Sequence, residues 1–191
     1  DEDIHSLIER LLGEAIGPLA GRLHTGRSRN DQMATDLRLW TVGALGRLDA
    51  ALALLARALI GQAERGIDVL MPAYTHTQRA QPVRFAHWAL AHVWPLARDR
   101  ARRGEARRRA AVLPLGSGAI AGSGFAVDRR LLAADLGFAE VTANSMDAVG
   151  DRDFAVEAVF VAALAGTHLS RLAEDLMLFS TAEFGFERLS E

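Results

Sequence analysis

Apolar residues recur every three or four positions along three long stretches of the chain. These stretches run from about residue 30 to 65, from about 82 to 111, and from about 151 to 182. This is the period of one face of an α-helix, so we predict three long helices, the second opening at Pro82. The repeating positions in the first stretch are Met33, Leu37, Trp40, Ala44, Leu48, Ala51, Leu55 and Leu59, and in the third Phe154, Ala158, Val161, Ala165, His168, Leu172, Leu176 and Phe179.

The length of these helices points to a particular fold class. Each is expected to be roughly 45–50 Å long at 1.5 Å per residue, well beyond the mean helix of about 11–12 residues. The third is also apolar around more than one face, in the run "FAVEAVFVAALAG". We therefore predict an all-α fold, a bundle of long helices whose remaining apolar surface is covered by other subunits.

The segments between the long helices are shorter and more varied. We predict one short helix from about Ile4 to Ala15, and another from Arg129 to Leu136 that is capped by Asp128 and stopped by Gly137. The stretch "LPLGSGAIAGSGFAVD" is rich in glycine and serine and is typical of a loop. No segment has a pattern that predicts a strand.

Composition excludes several kinds of chemistry. The chain has no cysteine, and its 22 basic residues are all arginine, so disulfides, thiolate nucleophiles and Schiff-base lysines are excluded. The net charge is −2, which gives no general attraction to nucleic acid or membranes. The basic run Arg98–Arg109 lacks interleaved aromatic residues, and Asp99 and Glu105 interrupt it, so we interpret it as a solvated helix face. No uncharged run reaches the 18 or more apolar residues of a membrane span.

A dense polar cluster, "GRLHTGRSRNDQ", lies directly before the first long helix. A helix N-terminus favours anions, and two nearby arginines, Arg27 and Arg29, can add bidentate hydrogen bonds to a carboxylate or phosphate. Ser28 or Asn30 can cap the helix. The alternative interpretation is a helix cap with solvated arginines, and spacing alone leaves both open.

A second cluster, "YTHTQRAQP", contains His76, a residue type suited to general acid or base chemistry near neutral pH. The alternative is a histidine satisfied within a loop. His87 and His92 are five residues apart, which is the wrong spacing for a metal pair on a helix, so we predict no metal site. The segment "GSGAIAGSG" matches no nucleotide-binding motif, and "NSMDAVGDRD" is consistent with ordinary helix capping.

Taken in order, "DEDIHS", "HTGRSRNDQ", "TDLRLW", "YTHTQRAQP", "NSMDAVGDRDF" and "THLSRLAEDL" closely resemble argininosuccinate lyase, a branch of the fumarase and aspartase superfamily. The resemblance implies a cytoplasmic enzyme, without cofactor, that splits argininosuccinate into arginine and fumarate by β-elimination. It also implies a homotetramer whose active sites collect residues from three subunits. Residues 1–26 would then end an N-terminal domain, and residues 27–191 would belong to the central helical domain.

The resemblance also implies roles for particular residues. Ser28, Arg29 and Asn30 would bind the succinate carboxylates, and Thr75 would add a hydroxyl contact. His76 would be the acid/base histidine, and Gln78 would support its loop. Asp3 and His5 match family positions near the substrate.

One part of the family's pattern is not found in these 191 residues. The family has a flexible loop of the type GSS-x-M-P-x-K-K-N-P, with a catalytic serine and a lysine, and we expect the chain to be inactive without it. Two alternatives to an argininosuccinate lyase stay open. One is a structural protein on the same scaffold, as in lens crystallins, and the other is a sister lyase of the superfamily.

Overall fold

A computed structural model describes residues 3–188 of the chain. The chain divides into two compact units, Asp1–Gly43 with Arg107–Ala155 and Ala44–Ala106 with Val156–Glu191. The predicted boundary between an N-terminal domain, residues 1–26, and a central helical domain, residues 27–191, is a different division and stays a prediction. The elements in chain order are α1 (Ile4–Ile16), a 3-10 helix (Gly17–His24), α2 (Arg29–Arg65), β1 (Leu70–Thr75), β2 (Gln78–Arg84), α3 (Phe85–Ala110), β3 (Val112–Leu113), α4 (Arg129–Leu136), β4 (Glu140–Val141), α5 (Ser145–Gly150) and α6 (Asp153–Phe179).

The three long helices are confirmed, and their leucines form the core of the second unit. Leu52 and Leu59 of α2 are buried against Leu96 of α3 and Leu172 of α6. A neighbouring cluster is built from Leu45, Ala106 and Val161. Burying one leucine side chain contributes about 1.5–3 kcal/mol, so this shared core holds the three helices as a bundle.

Three arginines of the basic run on α3 pair with acidic residues of the second unit. Arg100 Nε donates to Asp49 Oδ1 at 2.7 Å, and Arg103 lies 3.0 Å from the same oxygen. The buried carboxylate of Asp99 accepts from Arg102 at 3.2 Å and lies 2.7 Å from Nδ1 of His168. The run was interpreted as a solvated helix face, and the structure adds that Arg100, Arg102 and Arg103 have acidic partners.

Two helices, α2 and α6, are long and apolar enough to cross a membrane by length and composition alone. Core helices of soluble proteins pass the same test, which makes this weak evidence for a membrane protein. Charged residues along these helices, such as Asp49 on α2, which is paired with Arg100 and Arg103 of α3, oppose a membrane span.

The segment before α3 is a β-hairpin. Two predictions are therefore wrong: that the second long helix opens at Pro82, and that no segment forms a strand. Strands β1 and β2 pair antiparallel from Leu70↔Arg84 to Thr75↔Gln78. Pro82 therefore lies in a strand opposite Pro72, and α3 starts three residues later, at Phe85. A two-stranded hairpin tolerates proline because each strand has an unpaired edge that needs no N–H donor.

The first unit contains the short elements. The predicted helix from Arg129 to Leu136 is confirmed, because Asp128 accepts from the amides of Arg130 and Leu131, and Gly137 closes it at φ 74°. Strands β3 and β4 are parallel and two residues long. Leu113 of β3 is buried with Ala133 and Phe138, which gives this unit a small core of its own.

Candidate functional site

The first candidate group lies at the start of α2, where Ser28 is the N-cap. Its carbonyl oxygen accepts the first helical hydrogen bond from Gln32 N at 3.2 Å, and its Oγ accepts from Asn30 N at 3.2 Å. Asp31 reaches back, so that its Oδ1 accepts from Ser28 N at 2.9 Å. This reciprocal arrangement is a capping box with aspartate in place of the usual glutamate. Between the two candidate caps, the structure selects Ser28.

Asp31 also makes contacts far along the sequence. Its carboxylate is completely buried, and Oδ2 accepts from Gly116 N at 3.0 Å and from Gly118 N at 2.9 Å. The glycine-rich segment that was predicted to be a loop is therefore fixed at this end to the start of α2. The S-x-x-D spacing is a visible signal for the capping half of this role, whereas the contacts of Asp31 with Gly116 and Gly118 have no local sequence signal.

Arg29 is held by the first turn of α1. Its Nη1 donates to Asp3 Oδ2 at 3.0 Å, and its Nη2 donates to Ser6 Oγ at 2.9 Å. Asp3 is also the N-cap of α1 and accepts from Ser6 N at 2.9 Å. This backbone hydrogen bond is the main reason that the pKa of Asp3 lies below its ordinary value, and Arg29 adds to the effect.

Glu9 forms a second link between α1 and the polar cluster. Its Oε1 lies 2.5 Å from Nδ1 of His24 and accepts from Arg27 Nη2 at 3.2 Å. The hydrogen bond with His24 is the largest cause of the lowered pKa of Glu9, with the charges of His24 and Arg27 next. Arg27 and Arg29 are therefore both occupied by acidic side chains of α1.

The second candidate group lies on the hairpin of the second unit. Thr75 and Gln78 are the last paired residues, and His76 and Thr77 form the two-residue turn between them. All four are exposed. The turn has φ of 53° at His76 and 59° at Thr77, a left-handed conformation that costs a non-glycine residue free energy, most of all a β-branched one. Strain of this kind is frequent at functional sites.

An aromatic cluster anchors this hairpin close to its tip, through Tyr74, which directly precedes Thr75. The ring of Tyr74 lies 5.2 Å from that of Phe184 and 6.3 Å from that of Phe179 at the end of α6. Trp88 packs on Phe179 at 5.5 Å, and its Nε1 donates to Asp175 Oδ2 at 3.1 Å. Because Tyr74 is packed in this way directly beside the turn, the cluster helps to hold the strained tip in place.

A cavity of about 350 Å³ adjoins the hairpin within the second unit. Its polar lining groups include Thr77, His87 and Asp175, and its apolar wall includes Tyr74, Trp88 and Phe179. Neither this cavity nor the aromatic anchor was predicted from the sequence. Trp88 and Phe179 are visible in the sequence as apolar residues of two predicted helices. Their packing on each other is a tertiary contact, which the spacing within either helix does not report.

The structure brings some of the predicted site residues together within one unit. Asp3, Ser28, Arg29 and Asn30 lie at adjoining starts of α1 and α2. His5 is on the first turn of α1, and its buried Nδ1 has no hydrogen-bond partner in the part of the chain that the structure describes. The other predicted site residues, Thr75, His76 and Gln78, lie together on the hairpin of the second unit. Across residues 3–188, no group of three or more potential ligands is placed to hold a metal ion.

Comparison with known proteins adds to this geometry. Residues 1–191 match the model of a protein family described as "Lyase". The chain belongs to this lyase family. It is 61% identical to a protein named argininosuccinate lyase from Roseiflexus sp. (strain RS-1), over 100% of this chain and 42% of the relative. A relative of the same name from Anaeromyxobacter dehalogenans is 57% identical, over 41% of its length.

Solved structures of other lyases share the fold. A structure of EDDS lyase in complex with formate is 34% identical with a TM-score of 0.91, over 96% of this chain and 37% of that one. A variant of EDDS lyase with bound fumarate is 35% identical with a TM-score of 0.88, over 93% and 36%. The predicted likeness to argininosuccinate lyase and the fumarase/aspartase superfamily is confirmed, and this lyase chain spans about two-fifths of the curated relatives' length.

Proposed function

We propose that this chain forms part of a cytoplasmic lyase that splits argininosuccinate into L-arginine and fumarate. The observation that carries the proposal is the start of α2, where the Ser28 hydroxyl and the Asn30 amide lie at a helix N-terminus. Such a site favours carboxylates, and argininosuccinate has two of them on its succinate part. The names of the curated relatives support the choice of this substrate.

The reaction needs donors aimed at a carboxylate. A base removes a proton from the carbon next to one succinate carboxylate, and negative charge develops on that carboxylate. The electron pair then forms the double bond of fumarate as the bond from the neighbouring carbon to the guanidino nitrogen breaks. The nitrogen leaves with a proton as part of arginine. One lost donor to the developing charge typically costs about 3–4 kcal/mol, so Ser28 and Asn30 have a direct catalytic use.

The hairpin supplies the other residues. His76 is exposed at the tip of the turn, where its imidazole can give or take a proton, directly or through a partner. Thr75 is expected to add a hydroxyl donor. Gln78, which pairs with Thr75 across the turn, is expected to support the turn. Asp3 and His5 are placed at the start of α1, and we propose that they contact the substrate or hold Arg29.

We further propose that the complete protein is a homotetramer with active sites shared between subunits. The supporting observation is exposed apolar surface on the second unit's helices. Val156, Val159 and Phe160 on α6 are 69%, 70% and 58% exposed, and Trp94 on α3 is 68% exposed. Large apolar side chains in such numbers mark an interaction surface.

The test is a substrate panel on a protein that contains this chain in full. Fumarate release is measured by ultraviolet absorbance with argininosuccinate, adenylosuccinate, aspartate and an N-substituted aspartate such as EDDS. We expect release from argininosuccinate at an enzymatic rate. Preference for another of these compounds would identify a sister lyase instead, and no release from any would favour a structural protein.

A matched pair of hairpin variants then tests the site. Gln78→Ala changes a proposed site residue, whereas Gln81→Ala changes an exposed glutamine of the same strand that has no proposed role. We expect a lower kcat/KM for the first and no change for the second. Equal effects of both would contradict the placement of the hairpin tip in the site.

A further inference from the structure

Asp31 is a buried carboxylate held by main-chain amides. Its side chain is among the largest that are fully buried, and it accepts from the amides of Ser28, Gly116 and Gly118 at 2.9, 3.0 and 2.9 Å. No ion pair of Asp31 is recorded within residues 3–188. A carboxylate with three charge-assisted hydrogen bonds from amides can stay ionised in a buried place, because these bonds replace water.

The two oxygens of Asp31 serve different segments. Oδ1 binds the amide of Ser28, the cap of α2, and Oδ2 binds both glycine amides of the turn at residues 116–118. The main chain of this turn has φ of 91° at Gly116 and 61° at Gly118. A Cβ on Gly118 would clash with the carbonyl oxygen of Gly122. Glycine is therefore required for the turn to point both amides at one oxygen.

We propose that Asp31 is a positioning residue for substrate binding, which fixes the start of α2 against the glycine turn. This inference depends on the proposed function and goes beyond it, because neither Asp31 nor the turn has been given a part in the site. The amide of Ser28 is fixed by Asp31, and the Ser28 hydroxyl in turn accepts from Asn30 N. The orientation of the Ser28 hydroxyl and the Asn30 amide therefore depends on Asp31.

The substitution that isolates this role is Asp31→Asn. It keeps the shape of the side chain but replaces one oxygen by an NH₂ group, which cannot accept from the amides it would face. One half of the clamp is lost, along with the charge. We expect fumarate binding to weaken by about tenfold to hundredfold, the range that corresponds to one lost hydrogen bond to a charged group. The KM for argininosuccinate is expected to rise more than kcat falls.

Two control variants separate positioning from general damage. Ser117→Ala lies between the two glycines and removes a buried hydroxyl that has no hydrogen-bond partner among residues 3–188, so the clamp stays intact. Asp128→Asn is the same chemical change at another carboxylate that accepts two amides at a helix start. Both controls are expected to keep the wild-type KM.

A second arm keeps the inference testable if Asp31→Asn folds poorly. Gly116→Ala leaves the carboxylate in place but disfavours the backbone conformation that aims one amide at it. Its effect on KM is expected in the same direction and smaller. In the double variant with Asp31→Asn the two effects should not add, because both act through one clamp.

The outcomes distinguish this inference from the proposed function. All binding and kinetics are measured on the complete protein that contains this chain, well below each variant's melting temperature. If the wild type binds fumarate and splits argininosuccinate but the Asp31 and Gly116 variants keep its KM and affinity, the positioning role is overturned alone. If the wild type does neither, the proposed function is overturned, and the positioning role with it.

Discussion

The guanidinium of Arg29 donates to the carboxylate of Asp3, with Nη1 of Arg29 3.0 Å from Oδ2 of Asp3. The second terminal nitrogen of Arg29 donates to Ser6, so both arms of the side chain are engaged by the first turn of α1. The resemblance implies that Arg29 binds a succinate carboxylate and that Asp3 lies near the substrate. In the structure they bind each other, and a substrate carboxylate at Arg29 has to compete with Asp3.

Replacing Arg29 by lysine tests the forked geometry of this contact. Lysine keeps the positive charge but cannot donate to Asp3 and Ser6 from one planar group. We expect KM for argininosuccinate to rise by about tenfold, the equivalent of one hydrogen bond to a charged group, with a smaller change in kcat. Arg22→Lys, at an exposed position of the 3-10 helix, is the control. Equal kinetics for the two variants would show that only the charge of Arg29 matters.

The lowered pKa of Glu9 predicts a pH-dependent contribution to stability. Because its folded-state pKa is depressed, the contribution is present above the ordinary glutamate pKa and is lost as pH falls through the folded-state value. The melting temperature of Glu9→Gln should therefore lie below that of the wild type at about pH 7 and converge with it as the pH falls below the folded-state pKa of Glu9. Glu14→Gln, which breaks only the exposed pair with Arg10 on α1, serves as the control. A pH-independent difference for Glu9→Gln would contradict this mechanism.

Arg38 is predicted to be important for the stability of the first unit. It is 4% exposed, pairs with Asp151, donates to the carbonyl oxygens of Arg109 and Ala110, and lies 4.2 Å from the ring centre of Phe154. Burial lowers the pKa of Arg38, and the charge of Asp151 opposes this. Removing one member of a buried pair typically costs about 3–5 kcal/mol.

We expect Arg38→Met to lower the free energy of unfolding by about 3 kcal/mol, measured by urea denaturation at one fixed protein concentration. The control is Arg47→Met at an exposed position of the same helix, with an expected change within about 0.5 kcal/mol. A loss below about 1 kcal/mol for Arg38→Met would mean that methionine packing replaces the polar contacts.

The strained turn of the hairpin gives a prediction of opposite sign. Thr77 has φ of 59°, and glycine adopts this conformation without the clash of a β-branched side chain. Thr77→Gly is expected to raise the free energy of unfolding by about 0.5–1 kcal/mol. Ala80→Gly, in the middle of β2 where φ is not positive, should lower it by a similar amount. Denaturation curves of both variants decide this, and destabilisation by both would show that the turn is not strained in solution.

The long helices and α4 could be predicted from the sequence because their signals are local. The three-and-four period runs the length of α2 and α6, and α4 is bounded by Asp128 and Gly137, whose cap geometry is seen in the structure. Each signal lies within a few residues of the element that it defines. The polar start of α2 has a local capping signal too, and a helix cap was one of the two interpretations that its spacing left open.

The hairpin and the clamp could not be predicted in the same way. Two-residue hairpin turns favour asparagine and glycine. The turn residues here are His76 and Thr77, so the usual turn signal is missing. Pro72 and Pro82 further hide the strands. Asp31 is 85 and 87 residues from its glycine partners, and no periodic pattern reports a contact at that separation.

The clamp at Asp31 binds main-chain amides, which every residue except proline has. The side chains that follow the two glycines, Ala119, Ile120 and Ala121, are exposed and take no part in the clamp. These three positions are therefore suitable for attaching a reporter beside the start of α2. A small fluorophore on a cysteine at position 121 would be unique in this chain, which has no other cysteine, and could report fumarate arrival as an optical signal.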